Sequence, residues 1–249
     1  MGIDERALWH VGPKKVSLLR RRREWSISTV DCAESDEEGL VVYPSKDELE
    51  ENGAVENRFT FRQSPDTVQV RPAPPDRNLV VYPESAFHIT SGESITLFCS
   101  IPLWIRVEVE GGDTLLDQAL ARPADTWFGP STRQGELCYA TWTSARLERS
   151  SVRRQAHRAV TELQIHNGAS ETLHLERVNL AVPHLSVFAM EDGSLETESI
   201  TLERTAGEST GKLSVGEAPR GKGIQLVTSP RVRPESGGTL VRALNAWFG

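Results

Sequence analysis

Cysteine is scarce in this chain, with Cys32, Cys99 and Cys138 its only representatives in 249 residues. So low and odd a count excludes a disulfide framework as the device that holds the fold together, and it fits a reducing compartment. Long apolar runs are missing as well, since none approaches the roughly 18 residues that cross a bilayer as a helix. The first residues, MGIDERALWHVGPKK, lack a continuous apolar stretch and carry Asp4 and Glu5, the reverse of a secretory leader. Arg6 stands where a myristoylation signal needs Ser or Thr. Cytoplasmic residence, without a membrane span, is the resulting expectation. Positive charge is not in excess either: 28 Lys and Arg face 35 Asp and Glu, for a net charge of −7. That balance speaks against a chain-wide nucleic-acid binder.

Reactive constellations are equally thin. Gly216-Glu-Ala-Pro-Arg-Gly221-Lys222-Gly223 approaches a phosphate-binding loop, but Gly223 replaces the Ser or Thr that would hold magnesium. The following residues, IQLVTSP, read as a strand, so no helix N-terminus faces a phosphate, and Pro219 removes one amide. The six His are scattered, and His166 and His174, expected on one polar face of a hairpin, lack a third ligand. Cys99 and Cys138 lie in apolar strands with nothing adjacent to lower a thiol pKa. The expectation is no catalytic residue, no metal and no cofactor.

What the sequence has is alternation. Ile95, Leu97, Cys99, Ile101, Leu103, Ile105, Val107 and Val109 occupy successive odd positions with polar residues largely between them, a two-residue period that marks half-buried strand. Pro102 cannot donate to a ladder, so the run is expected to bend or divide there. Residues 158–182 read as a hairpin about Asn167-Gly168, with a bulge near Glu176 and Arg177. Residues 185–204 read as another hairpin about Asp192-Gly193, and KLSV with GIQLVTS as a further pair. Ser45-Lys46-Asp47-Glu48 fits a capping box and starts one short helix ended by Gly53. Leu240, Leu244 and Trp247 stand at helical spacing, with Trp247 and Phe248 plugging a groove of the same protein. The fold expected is all-β in two parts, the larger an antiparallel β-sandwich, with one short helix and a short C-terminal helical tail. Residues 1–62 form the small part, the Pro-rich residues 63–77 a linker, and residues 78–249 the sandwich.

Two features invite a binding role. The stretch DTWFGPSTRQGELCYATW concentrates aromatics beside polar loop residues, so Trp127, Arg133, Glu136 and Tyr139 are candidates for contacting a small ligand or a partner. The same aromatics could instead pack as a loop over the end of the sheets. Charge is also segregated, with residues 1–30 carrying +4 and residues 31–57 carrying −9. Arg20, Arg21, Arg22 and Arg23, and further on Arg153, Arg154 and Arg158, are candidates for anion contact. Solvated turns and edge strands are the alternative use of such runs.

NLVVYPESAFHI, the strand run to Val109, DTWFGPSTRQGELCYA, and AVTELQIHN with LERVNLAVP together resemble the archaeal and bacterial proteins catalogued as domain of unknown function 432. The resemblance covers most of the chain, best over residues 78–230, through aromatic, Gly and Pro landmarks. It implies a soluble, all-β prokaryotic protein and carries no established activity with it. Some members accompany mechanosensitive-channel genes, which points to a membrane-channel protein as partner. The functional expectation is a non-enzymatic module that binds or assembles with another protein or a second copy of itself. The alternative is a sugar-like or anionic small-ligand site, or an enzyme, built on the loop from Trp127 to Tyr139.

Overall fold

The structure, a computed structural model, describes residues 1–33, 41–43, 55–131, 133–205, 210–232 and 239–243. Its first strands are β1 (Arg6–Val11), β2 (Lys14–Arg21), β3 (Glu24–Asp31), β4 (Val41–Tyr43), β5 (Val55–Thr60) and β6 (Val68–Ala73). There follow β7 (Leu79–Pro83), β8 (Phe87–Ile89), β9 (Ser94–Pro102), β10 (Trp104–Val109) and β11 (Thr114–Ala119). Next come β12 (Ala124–Ser131), β13 (Gln134–Ala145), β14 (Arg158–Asn167), β15 (Leu173–Leu175), β16 (Val178–Leu180) and β17 (Val187–Ala189). The last are β18 (Leu195–Thr197), β19 (Ile200–Arg204), β20 (Thr210–Val215), β21 (Gln225–Thr228) and β22 (Thr239–Ala243). Helical geometry among the described residues is confined to two 3-10 turns, Arg149–Ser151 and Val182–His184.

The expected antiparallel β-sandwich with one short helix and a helical tail is therefore corrected. The strands lie in open sheets, and some pairings are parallel: β7 with β13, and β14 with both β18 and β19. Residues 239–243, expected to start the tail helix at Leu240, form a strand that pairs with β20 over five residues. A short helical period without caps is a weak nucleus, and it yields where a sheet edge offers each backbone group a partner. Residues 244–249, and the helix expected over 45–53, lie outside the described residues.

The chain divides into two compact units. One comprises Met1–Ala73, Leu103–Ala121 and Gln155–His157, and the other comprises Pro74–Pro102, Arg122–Arg154 and Arg158–Gly249. In the first, the antiparallel order β4-β1-β2-β3-β5 stands with the three-stranded order β11-β10-β6. Gly12, at φ +54°, makes the β1–β2 turn, and a Cβ there would meet the His157 ring at 2.4 Å. The period-two apolar face of β2 and β3 supplies Val16, Leu18, Trp25 and Ile27 to a core shared with Ile105, Val107, Val109, Leu115 and Leu116. The fully buried Trp25 donates its Nε1–H to the Pro65 carbonyl at 3.1 Å. Part of the Pro-rich segment is strand: β6 is an edge, the position where Pro72 costs the ladder least.

In the second unit β14 is central. It pairs with β9 from Arg158 to His166 on one side and with β18 and then β19 on the other. With both edges occupied it cannot accept β15 as a hairpin partner, and β15 pairs with β8 instead. The expected sharing of a face by His166 and His174 is thus replaced. His174 stacks on His88 with ring centroids 4.5 Å apart, while His166 meets Ser94 Oγ at 2.9 Å. β20 likewise pairs with β19 and β22, and β21 with β17, so KLSV and GIQLVTS do not pair with each other. The phase change at Glu176 and Arg177 is a change of sheet between β15 and β16, not a bulge. The Asp192-Gly193 turn joins β17 to β18, with Gly193 at φ +79°.

The thiols give a direct check on this packing. Cys99 and Cys138 are buried, and burial pushes the Cys99 thiol up to about 12. Cys32 is half-buried, with Sγ 3.2 Å from His10 Nε2, and burial raises its pKa also. Native protein is expected to react with one equivalent of Ellman's reagent, slowly at neutral pH, and with three equivalents in denaturant. Because folding holds the Cys99 proton more tightly than the unfolded chain does, stability should fall as pH rises past the ordinary thiol range. Three equivalents in the native state would contradict the buried strand positions.

Candidate ligand-binding groove

The second unit carries a groove of about 470 Å³ across one face of its large sheet. Strand register dictates the floor. Phe98 lies opposite Glu162 in β9–β14, Val160 opposite Glu196 in β14–β18, and Gln164 opposite Thr201 in β14–β19. Partners directly across a ladder share a face, so all six side chains line the groove. Thr197, Ser199 and residues 216–220 after β20 complete the lining.

That loop is the near-miss phosphate-binding sequence, and its role here is to shape the groove. The Gly216 amide donates to the Ser199 carbonyl at 2.7 Å, and the Ser199 amide donates to the Glu217 carbonyl at 3.1 Å. The approach is so close that a Cβ on Gly216 would lie 2.2 Å from Ser199 Oγ. A side chain at this position would have to turn that hydroxyl aside. Arg220 and Glu217 pair at 2.6 Å on the rim, and the guanidinium holds the exposed Glu217 carboxyl below its usual range.

The groove has one deeply buried charge. Glu196 is 8 % exposed and forms an ion pair with Arg149, which arrives on the 3-10 turn Arg149–Ser151. Burial of a carboxylate is tolerated because this guanidinium faces it. Gln164 Nε2 donates to Glu162 Oε1 at 2.7 Å. Three carboxylates, two guanidiniums, one carboxamide, several hydroxyls and one phenyl ring thus surround the space, and its lining holds no thiol and no imidazole. Among the described residues there is no cluster of three or more His, Cys, Asp or Glu fit to hold a metal, and no helix long and apolar enough to cross a membrane.

The residues singled out from sequence lie elsewhere. Trp127 and Tyr139 belong to the β12–β13 hairpin, where Trp127 pairs with Leu137 and Asp125 with Tyr139, so these four share one face. Trp127 is 43 % exposed and donates Nε1–H to the Ser131 carbonyl at 3.0 Å. Tyr139 is buried, donates its hydroxyl to Asp76 Oδ1 at 2.9 Å, and lies under the Arg77 guanidinium at 5.3 Å. Burial first, and the Asp76 hydrogen bond second, raise its pKa. Glu136 is on the opposite face beside Phe128, accepting from Asn78 Nδ2 at 3.0 Å and Asn179 Nδ2 at 2.6 Å. Arg133 is exposed near the hairpin end, its amide 3.3 Å from Ser131 Oγ.

The arginines divide by role. Arg20 holds Ser64 Oγ and the Ser64 carbonyl at 3.2 and 2.9 Å and also reaches the Met1 carbonyl. Arg158 clasps Ser100 through its hydroxyl and carbonyl, both at 2.8 Å, and Thr141 at 3.2 Å. Arg154 pairs with Asp192 at 2.5 Å and Arg21 with Glu24 at 2.8 Å, while Arg22, Arg23 and Arg153 are exposed. Sequence reading missed the groove because its floor comes from the antiparallel β9–β14 pairing and the parallel β14–β18 and β14–β19 pairings, which join strands far apart in the chain. It also passed over Gly207-Glu-Ser-Thr-Gly211, which has nucleophile-elbow spacing. That elbow needs a helix after the serine, whereas β20 follows here, and residues 206–209 lie outside the described residues.

A family model described as a protein of unknown function, DUF432, matches residues 2–245. The chain belongs to that family. The DUF432 match spans residues of both units, including every residue of the groove. No curated protein and no solved structure matches the chain.

Proposed function

We propose that this DUF432 protein is a non-catalytic binding module whose recognition site is the groove on β9, β14, β18 and β19, and that its ligand is a short, uncharged, polyhydroxylated molecule of the sugar class. The observation that carries this reading is the lining. Hydrogen-bond donors and acceptors and one half-buried aromatic ring, Phe98, line the same cleft of about 470 Å³. Small-ligand clefts usually fall in that size range. The carboxylates of Glu162 and Glu196 accept from hydroxyls, Arg149 and Arg220 donate to them, and Phe98 covers the apolar face of a pyranose ring. Closely opposed charges within the lining favour a neutral ligand over an anion.

A panel of mono- and disaccharides tested by saturation-transfer NMR and calorimetry decides the matter. Binding to the wild type is expected to weaken about tenfold in Phe98→Ala, the loss of one ring contact, and to weaken also in Glu162→Ala. Absence of saccharide binding at millimolar concentration, or binding indifferent to both substitutions, would overturn the reading.

A further inference from the structure

The first unit carries a second surface, independent of the groove. Arg22 and Arg23 form the two-residue turn between β2 and β3. The segment after β5 wraps this turn, with the Phe61 amide donating to the Arg23 carbonyl at 2.8 Å and the Ser64 amide to the Arg22 carbonyl at 3.2 Å. Arg62 is thereby brought beside Arg22 and Arg23. Glu24 accepts from Arg21 at 2.8 Å and from Arg58 at 2.6 Å, so one carboxylate is shared by two guanidiniums. Arg22, Arg23 and Arg62 are exposed and have no acceptor among the described residues. Asp4, Glu5 and Asp66 flank the tip.

One apolar side chain stands at the same place. The Asp4 amide donates to the Arg20 carbonyl at 2.7 Å and the Arg20 amide to the Glu5 carbonyl at 3.1 Å, and there residues 2–5 make a tight turn, the Glu5 amide donating to the Gly2 carbonyl at 3.3 Å with Asp4 at φ +62°. Ile3 lies in this turn, next in the chain to Asp4 and its contact with Arg20, and is 54 % exposed. We infer that this hairpin tip docks on an anionic phospholipid surface, its unpaired guanidiniums on headgroup phosphates and carboxylates and Ile3 at the headgroup–acyl boundary. A basic tip with an apolar point is the pairing that such a surface rewards. A single-stranded nucleic acid would call for aromatic stacking faces, and among the described residues of this tip the exposed apolar group is aliphatic.

Co-sedimentation of the full chain with vesicles tests this, comparing phosphatidylcholine alone with phosphatidylcholine containing phosphatidylserine. Binding is expected only to the mixed vesicles and should disappear at roughly 1 M salt, where the screening length is about 3 Å. Each basic side chain near such a surface is worth about fivefold in affinity, so Arg22→Glu/Arg23→Glu/Arg62→Glu should weaken partitioning about a hundredfold or more. Its thermal melting, unchanged, would show that it folds. Ile3→Ser should weaken partitioning severalfold at unchanged charge. Equal partitioning to both vesicle types overturns the inference. So does insensitivity to Ile3→Ser combined with equally tight binding to duplex DNA, which would reassign the patch to nucleic-acid phosphates.

Discussion

Replacing Trp25 with alanine is expected to cost the first unit about 3–5 kcal/mol, the range for deleting a buried aromatic side chain. Trp25 is fully buried where the strand faces of β2 and β3 meet Ile105, Val107 and Leu116, and its indole N–H is satisfied by the Pro65 carbonyl. Truncation leaves a large cavity and an unpaired carbonyl together. A domain holds only about 5–15 kcal/mol in total, so the unit should be near its unfolding threshold. Urea unfolding followed through Trp9, half-buried against the same core, would show an early transition for the first unit. Trp25→Phe should recover most of the loss, because the ring is kept and only the hydrogen bond goes. An unchanged urea midpoint in Trp25→Ala would mean that the side chain is not in the core.

Asn167→Ala is the second large effect, at about 2–4 kcal/mol, and its cause is polar. The Asn167 side chain is buried and donates to the carbonyls of Ile89, Thr90 and Glu171 at 2.9, 3.2 and 2.8 Å, while its Oδ1 accepts from the Ala169 amide at 3.3 Å. One carboxamide thus ties the end of β14 to the end of β8 and to the segment before β15. Alanine would strand several buried polar groups, each costing about 1–3 kcal/mol when unsatisfied. Asn167→Asp should be worse, since a carboxylate would face three carbonyl oxygens with no hydrogen to offer. Amide hydrogen exchange should rise first around residues 88–92 and 168–171. Uniform protection in Asn167→Ala would sink the argument.

Local pattern was legible wherever a strand buries one face. The odd-numbered run from Ile95 was read as strand dividing near Pro102, and the structure divides it at Leu103 into β9 and β10. The faces of β14 alternate as the residues alternate, and Asp192-Gly193 makes its turn. What failed was partner choice. A period of two states which face is buried but not which strand lies alongside, and β14 takes neighbours from residues 94–102 and 195–204. The helical spacing at Leu240 lost to an available edge on β20 for the same reason. The groove was illegible because Glu162, Glu196 and Phe98 become neighbours only through these distant pairings. Tyr139 and Glu136, close in sequence and expected together at one aromatic loop, are sent to opposite faces by the strand alternation of β13.

The interleaving of the two units has a consequence for synthesis. The first unit needs Leu103–Ala121 to complete its second sheet and Gln155–His157 to supply the ring beside Gly12. A growing polypeptide that has left the ribosome only as far as Ala73 therefore cannot close that body, and must wait while part of the second is made. Both bodies should mature late and close together in time, and a stalled or truncated nascent product should present unpaired strand edges to chaperones and proteases.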